Sequence, residues 1–280
     1  MTRELCRTIY TLEPSYQKCV KEEDIELIIV DNGSTQPINI PIYYKNIKYL
    51  QFPNPSASPA AAINFGLSNA SSEIIGVMID GARMASPQIC WFTLLASKLS
   101  PRIIISTLGF HLGHEVQMTS VNKGYNQDVE DELLKSVPWQ RDGYELFKIS
   151  TFAGSSANGM FNPIAESNAL FMPRKLWNEL EGYDERFQTP GGGLINLDAY
   201  LRACELPNTQ LVTLLGEGTF HQFHGGVATN QKNESYFEIS HKEYISIRGK
   251  EYRRPDKKTL LLGEVRNQHK ASIKLSLESI

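Results

Sequence analysis

Two largely apolar runs that each end on an aspartate constrain this chain more than any other feature. Residues 25–30, IELIIV, lead into Asp31 and the polar turn Asn32-Gly33-Ser34, and residues 74–80, IIGVMID, end on Asp80. A run that is β-branched and apolar on both faces predicts a strand covered on two sides. Between and around them lie IKYLQF (47–52), a second strand candidate, and the Ala-rich SPAAAINFGLSNA (58–70), which reads as a helix. Ser86-Pro87 predicts a helix start, with Ser86 as N-cap and the helix running to about residue 99. RIIISTL (102–108) is the next strand, and Leu5, Ile9 and Leu12 recur at helical spacing behind Thr2. The alternation predicts an α/β protein: a doubly wound, mostly parallel sheet with helices on both faces. Ligands of such sheets bind beyond the carboxyl ends of the strands. Asp31 and Asp80 therefore read as ligand-facing residues rather than as turn punctuation alone.

The composition, 41% apolar and 21% charged over 280 residues, suits a globular domain with a large core. A net charge of -3 gives no reason to expect nucleic-acid binding. No run of about 20 apolar residues is present, so no transmembrane segment is expected. Cys6, Cys19, Cys90 and Cys204 lie far apart without a C-x-x-C pair. This favours reduced, mostly buried thiols and a cytoplasmic location, with peripheral membrane association as the extension of that reading.

Residues 109–165 are rich in Gly, Ser, Asn and aromatics, with one helical stretch at DVEDELLKS. Long irregular segments of this kind are usually functional loops. Periodicity returns in NALFMP, RKLWNELEGYDERF and LINLDAYLRACE, followed by the strand TQLVTLL (209–215). The charged residues 231–280 read as a C-terminal tail. The domain reading is thus 1–230, with a nucleotide-binding part at about 1–108 and a loop-rich acceptor part at about 109–230, plus that tail.

Several stretches, in order, resemble the family 2 glycosyltransferases of the GT-A nucleotide-sugar-binding fold. ELIIVDNGS is similar to the family strand ending in Asp-x-Gly-Ser, and SPAAAINFGLSNASSEIIGVMID to the Ala-x-Asn-x-Gly helix followed by the strand into the metal-binding acidic motif. NALFMPRKLWNELEGYDERF resembles the Gly-Gly-Phe-Asp-Glu segment, LDAYLRAC the start of the acceptor-side helix, and GTFHQFHGG a late strand bearing a metal-site histidine. The resemblance covers about residues 4–230. It implies a nucleotide-diphosphate-sugar donor held by Asp31, Asn64 and Asp80, and a divalent metal, Mn or Mg, on Asp80 with His221 or His224. It also implies inverting transfer to an acceptor hydroxyl on a glycan, a lipid-linked sugar or a small molecule.

The chemistry asks for the same residue types. A hard cation beside Asp80 stabilises the charge growing on a diphosphate leaving group. An acceptor hydroxyl needs a general base, usually a carboxylate. Here the chain departs from the family pattern. Asp80-Gly81-Ala82 lacks the second carboxylate, and the expected Glu-Asp pair aligns with Ile195-Asn196. Asp198 is the nearest carboxylate and the first candidate base, with Glu166 and Asp184 behind it. The family's opening strand, which normally precedes Met1, is absent from the sequence. That predicts a reading frame extending upstream and a 280-residue form of low stability.

Blander readings stand beside these. His111/His114 and His221/His224 each form a His-x-x-His pair, but residues three apart on a strand point to opposite faces, so a zinc site needs a turn. Gly191 to Gly193 read as a turn or as a phosphate-approach loop. Trp139 and Asp142 face an acceptor or anchor a loop. Arg83 and Arg174 touch phosphate or are solvated. A non-catalytic nucleotide-sugar or glycan binding module accounts for the missing carboxylates. A nucleotidyltransferase would need a Gly-rich basic loop near the first strand, which is not seen.

Overall fold

A computed structural model of the chain describes residues 2–35, 38, 46–225 and 234–278. Helix α1 (Thr2–Leu12) is followed by strands β1 (Leu27–Asp31) and β2 (Ile47–Gln51), helix α2 (Ala60–Asn69), and strands β3 (Ile74–Met78) and β4 (Arg83–Ala85). Then come α3 (Ile89–Ala96), β5 (Ile103–Leu112), the short α4 (Gln117–Ser120), α5 (Gln127–Lys135) and β6 (Ser150–Phe152). The second half holds β7 (Ala169–Pro173), α6 (Arg174–Leu180), α7 (Ile195–Glu205) and β8 (Gln210–His221). It closes with α8 (Glu234–Arg248), β9 (Thr259–Gly263) and α9 (Lys270–Leu277).

The α/β alternation read from the sequence is present. A seven-stranded sheet runs β3-β7-β5-β8-β4, with β6 added to β5 and β9 to β8. Strands β3, β5, β8 and β9 share one direction, while β7, set between β3 and β5, and the short β4 and β6 run against them. Antiparallel β7 allows a short route into α6, because its chain arrives from the long loop region rather than from a crossover helix. β1 and β2 pair in parallel as a sheet of their own. The run Leu27 to Val30, expected to be covered on both faces, is only half-buried. Among the described residues β1 has a strand neighbour on one side alone, and α2 covers part of the remainder.

Two apolar clusters hold the fold. The larger surrounds Phe110, Phe147 and Phe220, whose rings meet at 4.8 to 5.5 Å, and extends to Trp177, Tyr183 and Tyr200. The smaller packs α3 against Ile103, Ile105, Val212 and Leu214. Residues 234–277 do not form a separate tail. β9 extends the sheet beside β8, His269 is buried with its Nε2 against the Gly216 carbonyl at 3.0 Å, and Tyr252 donates to the Ala165 carbonyl. Their charged composition hid this, because the contacts rest on a few residues rather than on a repeating pattern. Ser86 does not cap α3. Its hydroxyl donates to Glu217, and Gln88 takes the cap position. The four cysteines form no disulfide; Cys204 is buried, Cys6 and Cys90 are half-buried, and Cys19 is exposed. No helix among the described residues is long and apolar enough to cross a membrane.

Candidate active site

The turn after β3 is strained. Asp80 and Gly81 both have left-handed backbones, at φ 65° and 63°. A non-glycine residue held there costs free energy and persists only when its surroundings impose it. They do so from three sides. Oδ1 of Asp80 accepts the Ala82 N–H at 3.1 Å, Thr8 of α1 donates to the Gly81 carbonyl at 3.0 Å, and the Gln222 N–H donates to the Ala82 carbonyl at 2.9 Å. The Asp80 side chain is 28% exposed, so the carboxylate reaches solvent from a fixed base.

His221, the last residue of β8, and His224, just beyond it, point at that carboxylate. The three ligand atoms all lie within 4.8 Å of one another. His221 Nε2 is 3.5 Å from Asp80 Oδ2 and 3.1 Å from His224 Nε2. The turn after β8 supplies the geometry a strand would deny to residues three apart. Its backbone is held by Glu130 of α5, whose Oε2 accepts the Phe223 N–H at 2.7 Å. Arg3 of α1 pairs with Glu130 at 2.9 Å and also donates to the Phe223 carbonyl. Burial pushes the Glu130 carboxyl up to about 7.

Tautomers follow from Gln117. Its Nε2 donates to the His221 carbonyl at 3.2 Å, which orients the amide, and its Oε1 lies 2.6 Å from His221 Nδ1. Nδ1 therefore carries the proton, and Nε2 presents a lone pair toward Asp80. Burial, with the Arg83 guanidinium nearby, pushes the His221 imidazole down to about 4. Burial and the neighbouring His221 push His111, its register partner on β5, down to about 3. Both rings are neutral at physiological pH. Burial opposes ionisation of Asp80, yet the Arg83 guanidinium outweighs it and holds the carboxyl well below the usual range. Arg83 Nη2 is 3.2 Å from Asp80 Oδ2, while its Nε and Nη1 are buried without a hydrogen-bond partner among the described residues. Arg83 is thus neither solvated nor fully satisfied.

The remaining expected residues divide. Asp31 accepts the Ser34 N–H at 2.8 Å and the Tyr49 hydroxyl, which hold its carboxyl low against the opposing effect of burial. Its turn needs Gly33, at φ 89°, where a Cβ would fall 2.6 Å from Pro55. Asn64 is committed elsewhere: its amide donates to the Tyr183 carbonyl and Glu185 and accepts the Tyr183 N–H, clamping α2 to the segment after α6.

Asp198 does not stand on an acceptor cleft. Its side chain is 1% exposed and enclosed by Arg248, with bonds of 2.6 and 2.7 Å, and by Arg202 at 2.8 Å. Two guanidiniums leave it no role as a proton acceptor. The first-turn position on α7 that suggested a base turns inward and meets α8 instead. Asp184 is likewise held by Arg186 and Arg248. Glu166 differs. It is half-buried, and its Oε2 accepts the Asn196 Nδ2–H at 2.7 Å. Two residues on, the Asn168 carbonyl accepts the N–H of Ile79, which joins this loop to the Asp80 turn.

Trp139 is an anchor, edge-on to Tyr10 at 5.5 Å, and Asp142 caps the Tyr144 N–H. Arg174 donates to the Ala70 and Ser72 carbonyls. Gly191 donates its N–H to the Ala57 carbonyl, so the triple glycine is a packed turn. Sequence reading missed Gln117, Glu130 and Thr8, and took Asn196 only as the place of a lost carboxylate. The first three lie in no motif, and each of the four acts through a contact distant in sequence.

Residues 4–80 match the family model described as glycosyl transferase family 2. No curated protein matches the chain. Among solved structures, S. aureus TarS 1-349 in complex with UDP-GlcNAc is similar at 13% identity and a TM-score of 0.52, covering 86% of this chain and 62% of that one. S. aureus TarS is similar at 13% identity and a TM-score of 0.51, covering 88% and 37%. The 1-349 form with UDP is similar at 13% identity and a TM-score of 0.50, covering 78% and 56%. The chain thus spans less than two thirds of the length of each of these proteins. By these likenesses residues 4–80 are similar to the glycosyl transferase family 2 model, and the chain shares the fold of the TarS structures.

Proposed function

We propose that the chain is an inverting glycosyltransferase that moves a sugar from a nucleotide-diphosphate sugar to an acceptor hydroxyl. The observation that carries this reading is the convergence of Asp80, His221 and His224 at the end of β3 and β8. Asp80, His221 and His224 bring one ligand atom each within 4.8 Å of one another, and a set of two imidazoles and a carboxylate suits a divalent ion such as Mn2+ better than Mg2+. When bound, such an ion would neutralise charge on the leaving diphosphate. Arg83, with two nitrogens unpartnered among the described residues, adds fixed positive charge for the same phosphates. Asp31, at the end of β1, is the candidate for the nucleoside.

Glu166 is the candidate base, positioned by Asn196. The family's base carboxylate aligns at Ile195-Asn196, and the Glu166 carboxylate accepts a hydrogen bond from Asn196, which supports this reading. Glu166 would take the proton of the acceptor hydroxyl as its oxygen bonds to the anomeric carbon and the nucleoside diphosphate leaves. The TarS structures hold UDP and UDP-GlcNAc, which puts UDP-sugars first among donors to test. The test is release of nucleoside diphosphate across a panel of nucleotide sugars and acceptors, with Mn2+ and after chelation. Donor-dependent release that needs the metal supports the reading. Donor binding without release supports the second reading, a nucleotide-sugar binding module, which the pairing of Asp184 and Asp198 with arginines favours. No donor binding at all overturns both.

A further inference from the structure

Helix α9 packs one partly buried apolar residue, Ile273, on the larger cluster. Its inward face carries Ser272 and Ser276, both buried, with the Ser276 hydroxyl accepting the Met160 N–H at 2.9 Å. The face turned to solvent carries Lys270, Lys274 and Leu277, at positions i, i+4 and i+7, so they share one side. Leu277 is 61% exposed, and Leu275 is exposed on another side of the helix. An eight-residue helix that buries serines and offers leucines to water gains nothing from the hydrophobic effect on that face.

The stretch leading into it repeats the pattern. Strand β9 has β8 on one side and no strand on the other among the described residues, and exposes Leu260 at 52% together with Leu261. Of the eleven large apolar side chains exposed among the described residues, five fall between Thr259 and Leu277. Basic residues are enriched over the wider stretch that contains these leucines, with Lys270 and Lys274 on α9 itself. Residues 250–278 contain eight Lys or Arg against four Asp or Glu, leaving 20 against 27 in the rest of the chain. An acidic protein thus concentrates positive charge and exposed leucine in one continuous segment.

We propose that β9 and α9 form a docking surface for an anionic lipid bilayer. Leu260 and Leu277 enter the headgroup boundary, and Lys270 and Lys274 lie along it with their ammonium groups at the lipid phosphates. Charge selects this partner: a neutral protein surface would accept the leucines but leave the lysines unmatched, whereas an anionic bilayer takes both. The surface is rigidly tied to the core through His269 and Ser276. Its strand β9 pairs with Leu211 to Leu215 of β8, the nearer end of which lies roughly 20 Å from His221 at the usual rise of a strand, and the proposal does not depend on the transferase reading.

The experiment is co-sedimentation of the full chain with vesicles of phosphatidylcholine alone and with added phosphatidylglycerol, at low and high salt. Binding is expected to the anionic vesicles only and to weaken with salt. Lys270→Gln with Lys274→Gln should lower it roughly thirtyfold. Leu277→Ser with Leu260→Ser should abolish it while the thermal melt stays unchanged, since none of these side chains is buried. Binding equal to wild type in both double variants overturns the proposal, as does failure to bind anionic vesicles. Concentration-dependent self-association that Leu277→Ser removes, without vesicle binding, assigns the surface to a second copy and equally overturns it.

Discussion

Asp80 Oδ2 and His221 Nε2 face each other across 3.5 Å with no proton between them, because Gln117 has placed the imidazole proton on the far nitrogen. Two lone pairs held together in a partly buried site call for a cation. Titration with Mn2+, followed calorimetrically, is expected to give one site, and His221→Ala to lose it. Gln117→Ala, which touches no ligand atom of the site, should weaken it by about 10- to 100-fold by freeing the ring. Equal affinity in Gln117→Ala and wild type would show that the tautomer is not held this way.

Glu166 and Asn196 form the next test. Glu166→Gln keeps the contact to Asn196 and removes the basicity. Transfer is expected to fall by about 10²- to 10⁴-fold with donor affinity unchanged. Asn196→Ala should raise KM for the acceptor or lower kcat by a smaller factor, through misplacement of Glu166. A Glu166→Gln enzyme with near-normal kcat moves the base elsewhere.

Asp198 is predicted to matter for stability instead. Asp198→Asn leaves Arg202 and Arg248 facing each other without their shared counter-ion, a loss of about 3–5 kcal/mol for a buried pair broken on one side. A denaturant melt should show the drop, and any residual folded protein should keep its metal and donor affinity. A variant as stable as wild type would mean the two arginines find other partners.

Glu217 predicts a pH dependence. It is fully buried on β8, accepts from Ser86, Tyr144 and the Gln88 N–H, and burial pushes its carboxyl up to about 7 from 4.5. Between those two values the folded chain keeps a proton that the unfolded chain has released. Stability therefore falls as pH rises from about 4.5 to about 7 and then levels off, by roughly 3 kcal/mol for this group. Glu130 adds a slope of the same sign. Glu217→Gln should flatten the curve in part, and an unchanged slope from pH 5 to 7 would remove Glu217 as its source.

The strands that carry Asp31 and Asp80 were legible because a buried strand needs an uninterrupted apolar run, a local property that needs no knowledge of the partner strand. The same held for α2, α7 and β8, and for the order of motifs that pointed to nucleotide-sugar chemistry. His221 and His224 were legible as metal candidates through the family resemblance, but their convergence on Asp80 came from the turn after β8 and from Glu130 on a distant helix. Asp198 could not be told from a base by its position on α7, since its fate depends on Arg248, fifty residues away. Asn64 reads as a donor-site amide until Tyr183 and Glu185 are placed against it. Residues 234–277 looked like a tail because a strand of five residues and a helix with buried serines have no periodic signature. Local propensity and apolar pattern are written along the chain. Which charges meet, which are free to act and which face of α9 reaches water are settled by contacts between residues far apart in sequence, and only the tertiary structure decides them.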